Sequence, residues 1–460
     1  MPEPNMINFV VSLIMCAAAM LFLQTKLLKG VSLNILTVTG IVFAWIYFIA
    51  VPIGHIASDT YVDVRLFIEE PIVSLTRLNF FNAVLLVIAG IAAHFTRPPR
   101  EREPRPLHFE AAIPALIILL AVQIAWGFYT IYYSGNVLTL ASGRLELQGS
   151  LLQYAVFESA PLAFCWLVTL LYAKAGRKPG GMMIGLILLI EILLLLGLSS
   201  SRGARVAMLS QLVFCVQIFN YSIYRFKLRD YVIGAVLTAF FLPIYANYKY
   251  GGVEALRDYI SGGGPSSITE HYNDPMLFLA GDIGRADGQA PLLSRYLEGS
   301  FTPNYVGETY LGALTLLLPR DQRPDWPRSK VVIGAEAQLD RGTGSRGYRG
   351  VVQVEGVYTS SRIYGLAGET ILNFGIWGLP FAFWLFGFLT RKAYLATQNV
   401  RTWRQLLTAP YLSFVPIFLL FYDFDNILVQ TLSIWAIPYL TLVAADFLSP
   451  RRSGRTAYAA

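Results

Sequence analysis

Runs of about 20 mostly uncharged, apolar residues recur along this chain from Met6 to Leu448 with short polar segments between them, and a helix of about that length crosses the roughly 30 Å hydrocarbon core of a bilayer. In lipid every backbone N–H and C=O must find its partner within the protein, so a chain of such runs folds as helices or as a closed barrel. A barrel needs segments of about ten residues with strict in-out alternation. The stretch from Gly185 to Gly197, GLILLIEILLLLG, is apolar on every face apart from Glu191. Composition agrees: 55% of residues are hydrophobic and 14% charged, against about 25% charged in soluble domains. A water-soluble enzyme is excluded, and the expected fold is all-α, a polytopic membrane helix bundle.

Hydropathy predicts about 11 spans, at 7–28, 33–56, 78–96, 110–131, 151–173, 182–199, 204–224, 230–247, 366–390, 406–423 and 427–448. The N-terminus, MPEPNMINFVV, lacks the positive leader of a cleaved signal peptide, so the first run is expected to stay as a span. Alternate connections carry Lys26/Lys29, Arg97/Arg100/Arg102/Arg105, Lys174/Arg177/Lys178, Arg225/Lys227/Arg229, Arg391/Lys392/Arg401/Arg404 and Arg451/Arg452/Arg455, 19 cations on one side. The short connections on the other side hold 5: Arg65, Arg77, Arg144, Arg202 and Arg205. The positive-inside rule makes the richer side cytoplasmic. With an odd number of spans the N-terminus lies outside and the C-terminus inside. The formal charge of +7 therefore describes membrane flanks, and nucleic acid is not an expected partner.

The expected organisation is spans 1 to 8 over 1–247, a long extracytoplasmic loop subdomain over 248–365, three further spans over 366–448 and a cytoplasmic tail over 449–460. The loop starts with a glycine-rich linker, SGGGPSS at 261–267, and contains YVGETYLGALTLLLP at 305–319, which suits a helix lying at the membrane interface. Cys16, Cys165 and Cys215 all fall in apolar runs and read as small buried hydrophobes, not as a disulfide framework or a metal site.

Candidate chemistry gathers on the outer side. LSSSRGARVAML at 198–209 puts Arg202 and Arg205 in a very short turn at a helix start. Two guanidinium forks beside helix N–H groups make a phosphate cradle; the alternative is that both arginines snorkel to lipid headgroups. Arg320, Arg323, Arg328 and Lys330 follow the interfacial segment and could hold an anionic headgroup or be solvated charges. Glu369 lies near the outer boundary of the ninth span, where an acid is either functional or a capping and salt-bridge partner, for Arg362 among others. His271, beside Glu270 and Asp274, is a further candidate base or a solvated loop histidine. Asp423 and Asp425 form a D-x-D that could take a divalent cation or serve as turn residues. No P-loop, G-x-G-x-x-G after a strand, H-E-x-x-H or G-x-S-x-G is present, so ATP-driven transport, nicotinamide chemistry, zinc proteolysis and α/β-hydrolase chemistry have no support.

Three of these pieces occur in a suggestive order: Ser201-Arg202-Gly203-Ala204-Arg205; Gly307-Glu308-Thr309-Tyr310 through Pro319-Arg320 to Trp326-Pro327 and Lys330; and Gly368-Glu369 through Asn373-Phe374-Gly375 to Gly378. Together they resemble the Wzy-type O-antigen polymerases, the oligosaccharide repeat-unit polymerases, over about residues 185 to 390. The resemblance implies a glycosyltransferase of the bacterial cytoplasmic (inner) membrane that polymerises polyprenyl-diphosphate-linked oligosaccharide units into O-antigen, capsule or exopolysaccharide. By the same token Arg202, Arg205, Arg320, Lys330 and Arg362 would bind diphosphate, Tyr310 and Trp326 would stack on sugars, and Glu369, with Arg205 and His271, would carry the catalysis. No cofactor is expected, with a divalent cation left open; partners would be membrane lipids, a flippase and a chain-length regulator. An O-antigen ligase, favoured if His271 acts, and a flippase or exporter of lipid-linked sugars, with charges such as Glu191 lining a cavity, are the alternatives.

Overall fold

The computed structural model describes residues 4–32, 35–58, 69–98, 109–130, 151–198, 205–223, 226–227, 229–230, 232–233, 236, 257–262, 284–302, 306–318, 322, 324, 326–338, 351–354, 357–360, 363–398, 400 and 402–448. The first half of the chain forms α1 (Pro4–Leu27), α2 (Ile35–Trp45), α3 (Val51–Ser58), α4 (Pro71–Phe95), α5 (Phe109–Phe128), α6 (Leu151–Glu158), α7 (Ala160–Ala175), α8 (Gly181–Gly197) and α9 (Arg205–Ser222). A π turn at Ile46–Ala50 joins α2 to α3 as one span. The long connection contributes α10 (Ala286–Leu297), α11 (Glu308–Thr315), α12 (Lys330–Gln338) and two strands, β1 (Val351–Val354) and β2 (Val357–Ser360). The chain ends in α13 (Gly365–Phe374), α14 (Leu379–Ala396), α15 (Trp403–Phe421), α16 (Phe424–Thr431) and α17 (Ile437–Leu448).

Among the described residues 7 helices are long and apolar enough to cross a membrane: Asn5–Leu27, Thr37–Ala57, Pro71–Phe95, Glu110–Phe128, Gly365–Ala396, Trp403–Phe421 and Phe424–Leu448. The pair α6 and α7, bent by 42°, adds an eighth if it is one span. The expected spans at 182–199 and 204–224 appear as shorter apolar helices, and most of the expected span at 230–247 lies outside the described residues. This is a multi-pass membrane protein by the length and apolarity of its helices. The all-helical expectation needs one amendment, the antiparallel pair of β1 with β2, in register from Val351 opposite Ser360 to Val354 opposite Val357.

Two boundaries differ from the hydropathy reading for local reasons. The third span begins at Pro71, not at residue 78, because proline fits the first turn of a helix, where its missing N–H is no loss. Arg77 then lies within the helix and reaches Glu69 at 3.0 Å and Glu298 at 3.5 Å. The ninth span is broken where α13 gives way to a 3-10 turn at Gly375–Gly378. Gly375 has φ +62° and its missing side chain leaves room for the Tyr296 ring, so both conformation and contact call for glycine.

Among the described residues two large apolar cores form, with a smaller cluster of Tyr154, Phe157, Ala160 and Leu198 beside them. One joins α1, α4, α10, α13 and α14, with Phe48, Leu86, Tyr364 and Phe383 fully enclosed. Gly387 of α14 lies directly on the Ala89 backbone of α4, the close approach that small residues give in membrane packing. The other core joins α5, α7, α8, α9 and α15, where Phe214 stacks on Phe414 at 4.6 Å. Ala290, Leu293 and Ile333 from the long connection belong to the first core, so its helices are built into the bundle. Along α11, Val306, Leu311, Leu314 and Leu318 are exposed while Thr309 and Ala313 are buried, as a helix at an apolar boundary requires.

Candidate functional site

The described end of the long connection packs against the start of α13 and the start of α16, and the polar groups there are shared between elements. Asp423 occupies the N-cap position of α16, but its carboxylate does not cap that helix. Its Oδ1 accepts the N–H groups of Tyr364 at 2.8 Å and Gly365 at 2.7 Å, the N-cap and first residue of α13. In return, Glu369 of α13 accepts the N–H of Phe424, the first residue of α16, at 2.7 Å. The two acids therefore satisfy each other's helix starts, whose N–H groups have no partner within their own helices.

Around this reciprocal cap the remaining groups close a network. Glu369 takes a second hydrogen bond, from the Thr309 hydroxyl at 2.8 Å. Asn373, one turn on from Glu369, donates to Thr309 Oγ1 at 2.7 Å and accepts the Thr309 N–H at 3.1 Å. Lys330, the first residue of α12, places its Nζ 2.9 Å from Asp423 Oδ2 and 3.9 Å from Asp425 Oδ2. Lys330, Glu369 and Asp423 are 3%, 3% and 0% exposed. Burial by itself would lower the Lys330 pKa, but the charges of Asp423 and Asp425 outweigh it and hold the ammonium above its ordinary value.

Three glycines, of which Gly368 belongs to a sequence motif, make this convergence possible. Gly368 faces Tyr364 Cβ, Gly334 faces the Tyr364 ring, and the ring's hydroxyl donates to the Gly334 carbonyl at 2.8 Å. Gly365, at φ +65°, sits against the Leu420 carbonyl, where no L side chain would fit. Behind it, Gln289 of α10 donates to the Tyr364 carbonyl at 2.7 Å and to the Tyr47 hydroxyl at 2.8 Å. Arg285, just before α10, lies 4.0 Å over the Phe421 ring and donates to the Phe421 carbonyl.

Of the residues singled out from the sequence, Glu369, Lys330, Tyr310 and the D-x-D pair Asp423 and Asp425 meet at this place. The expectation that Lys330 holds a headgroup at the surface is revised, because its ammonium is enclosed and ion-paired. Glu369 pairs with a hydroxyl and a backbone N–H. Tyr310 stacks on Phe374, ring centres 6.1 Å apart, and meets Phe424 edge-on at 5.5 Å, so packing accounts for much of its surface. Trp326, preceding a cis Pro327, is 66% exposed and is free to meet a ligand face. Arg328 forks onto Glu308 and also reaches Glu336 at 2.8 Å. Arg205 begins α9, the helix start that an anion cradle needs, but its side chain is outside the described residues, as are Arg202, His271, Arg320 and Arg362.

Sequence reasoning missed Thr309, Asn373 and Gln289 as members of the network, and the pairing of Lys330 with the D-x-D. The signal for Asn373 was its spacing of one helical turn from Glu369. Elsewhere, a cavity of about 730 Å³ between α4, α14, α15 and α16 has a mostly apolar lining, with Arg97 and Lys392 its charged members. Glu191 does not line it. No family model, curated protein or solved structure matches the chain.

Proposed function

We propose that this chain is an integral-membrane glycosyltransferase that polymerises polyprenyl-diphosphate-linked oligosaccharide units on the outer face of the bacterial cytoplasmic membrane. The observation that carries the reading is the convergence of Glu369, Thr309 and Lys330, from two of the three pieces that resemble repeat-unit polymerases, in one buried polar network. Pieces matched by chance have no reason to meet in space.

In this reading the bond between the sugar anomeric carbon and the diphosphate breaks, and one forms to a hydroxyl of the incoming unit. The hydroxyl proton passes to the Glu369 carboxylate. An ionised carboxylate offers about four lone-pair sites, and Thr309 and Phe424 take one at each oxygen. The leaving diphosphate gathers negative charge, which the arginines at the start of α9 and in the long connection would stabilise. Lys330, held by Asp423, keeps the loop helices in place for this and is not itself the headgroup ligand. The charge asymmetry of the connections supports a cytoplasmic C-terminal tail, and an odd number of spans would put the N-terminus outside.

The test is reconstitution of the purified protein in lipid vesicles with polyprenyl-diphosphate oligosaccharide and no energy source, resolving products by length. A ladder is expected; a single transfer to an added lipid acceptor, or passage of the sugar across the bilayer, replaces the reading with a ligase or an exporter. Glu369→Gln keeps the shape and both hydrogen-bond partners within reach but cannot take the proton. Its turnover should fall by about 10²- to 10⁴-fold, the usual contribution of a general base, with the thermal unfolding midpoint little changed. Unaltered turnover and pH–rate profile in that variant would make the carboxylate a framework group. Arg205→Ala should abolish the ladder, and Arg205→Lys should restore part of it, since a point charge lacks the bidentate fork.

A further inference from the structure

The interior of the second core holds a group of side chains that the proposed chemistry does not use. Cys165 of α7, Glu191 of α8 and Cys215 of α9 bring their Sγ and carboxylate oxygen atoms within 4.8 Å of one another, and all three residues are fully buried. Each is isolated in an apolar run, so only the packing of three consecutive helices brings them together. Neither oxygen of Glu191 has an N–H or O–H partner, and the acid faces the two thiols. One turn before Cys215, Gln211 is also fully buried with both amide atoms unpartnered.

An unsatisfied carboxyl in a dry core is destabilising, and thiols are weak donors that compensate little. A cation would satisfy it. Two sulfurs exclude magnesium and calcium, which take oxygen ligands; the carboxylate counts against copper(I), which is selected by thiolates and thioethers. Zinc accepts both ligand types. With zinc to sulfur and zinc to oxygen bonds of about 2.3 and 2.0–2.2 Å, ligand atoms of a tetrahedral site lie about 3.4–3.8 Å apart. Side-chain rotation of order 1 Å closes the observed arrangement to that size.

We propose that Cys165, Glu191 and Cys215 form a binding site for Zn²⁺ or a dication of like softness, with the Gln211 amide on the same helix face available for the fourth position. On binding, the two thiols and the carboxyl that coordinate give up their three protons to solvent, so affinity rises with pH. The site ties α7, α8 and α9 together within their helical interiors, about ten residues, or roughly 15 Å along α9, from Arg205. It stands independently of the glycosyltransferase reading.

The test uses the full-length protein in detergent, titrated with Zn²⁺ and with Cd²⁺ after chelation and dialysis. Wild-type protein should retain a single equivalent of zinc, show the ultraviolet charge-transfer band of thiolate-bound Cd²⁺, and unfold at a higher temperature with the metal. Cys165→Ser and Cys215→Ser should each lose the band, and Glu191→Gln should weaken binding by tenfold or more. Cys16→Ser, in a buried thiol on α1 beside the Phe48 carbonyl, should change nothing. If wild-type protein, with its thiols reduced, retains no zinc and shows no thiolate band, the site is refuted without reference to any variant. Full binding in both serine variants refutes it equally.

Discussion

At the loop end of the bundle both oxygens of Glu369 meet donors at 2.7 and 2.8 Å, and Asp423 gathers two backbone N–H groups and an ammonium. In the interior of the α7, α8 and α9 group, Glu191 is just as deeply buried and meets neither N–H nor O–H. Glu369 and Glu191 both lie in nearly dry surroundings, yet the first joins helices through N–H and O–H donors and the second faces only thiols. The difference teaches that burial of a carboxyl does not by itself reveal its role. Where each oxygen has a donor the acid is framework, or catalysis resting on framework; where neither has an N–H or O–H donor, it is waiting for a ligand or a proton.

The comparison can be broken at three strengths. Asp423→Ala removes the acceptor for the Tyr364 and Gly365 N–H groups and takes from the buried Lys330 ammonium its nearer carboxylate, leaving Asp425 at 3.9 Å. It should destabilise the protein by about 3–5 kcal/mol, read as a large drop in the thermal unfolding midpoint in detergent, and a shift no larger than that of a surface substitution would show the pair to be solvated. Thr309→Val deletes one hydroxyl from the network, leaving Glu369 and Asn373 each short of a partner. A loss of about 1–3 kcal/mol is expected. Glu191→Met, measured in metal-free protein, replaces an unsatisfied acid by an apolar side chain of similar size and should be neutral or stabilising within about 1 kcal/mol. A strong destabilisation there would mean that Glu191 holds helices together as Glu369 does.

What could be read from the chain follows from how local each signal is. Hydropathy placed the spans from Thr37, Glu110 and Trp403 within a few residues, because lipid exposure is set residue by residue along one helix. The break at Gly375 was visible as a glycine but not as a break, since the reason is the Tyr296 ring arriving from α10. Glu369 and Lys330 were legible as motif residues. The partner of Lys330 was not, because Asp423 reaches it only after the last pair of helices has packed against α12 and α13. The cysteines read as small buried hydrophobes, and they are buried and free. That two of them face Glu191 depends on how α7, α8 and α9 rotate about their axes, which a uniformly apolar sequence leaves unmarked.

The reciprocal cap between α13 and α16 also bears on how the protein is made. Chain emerges from the ribosome in order, and Lys330, Tyr364 and Gly365 are translated well before Asp423, the residue that gathers all three. Through that interval the Lys330 ammonium lacks Asp423, while Ala290, Leu293 and Ile333 already have earlier-made partners in the first core. A chain truncated before Asp423 would keep the earlier spans and lack this anchor, so limited digestion of nested truncations should show the long connection becoming more protected once Asp423 is included.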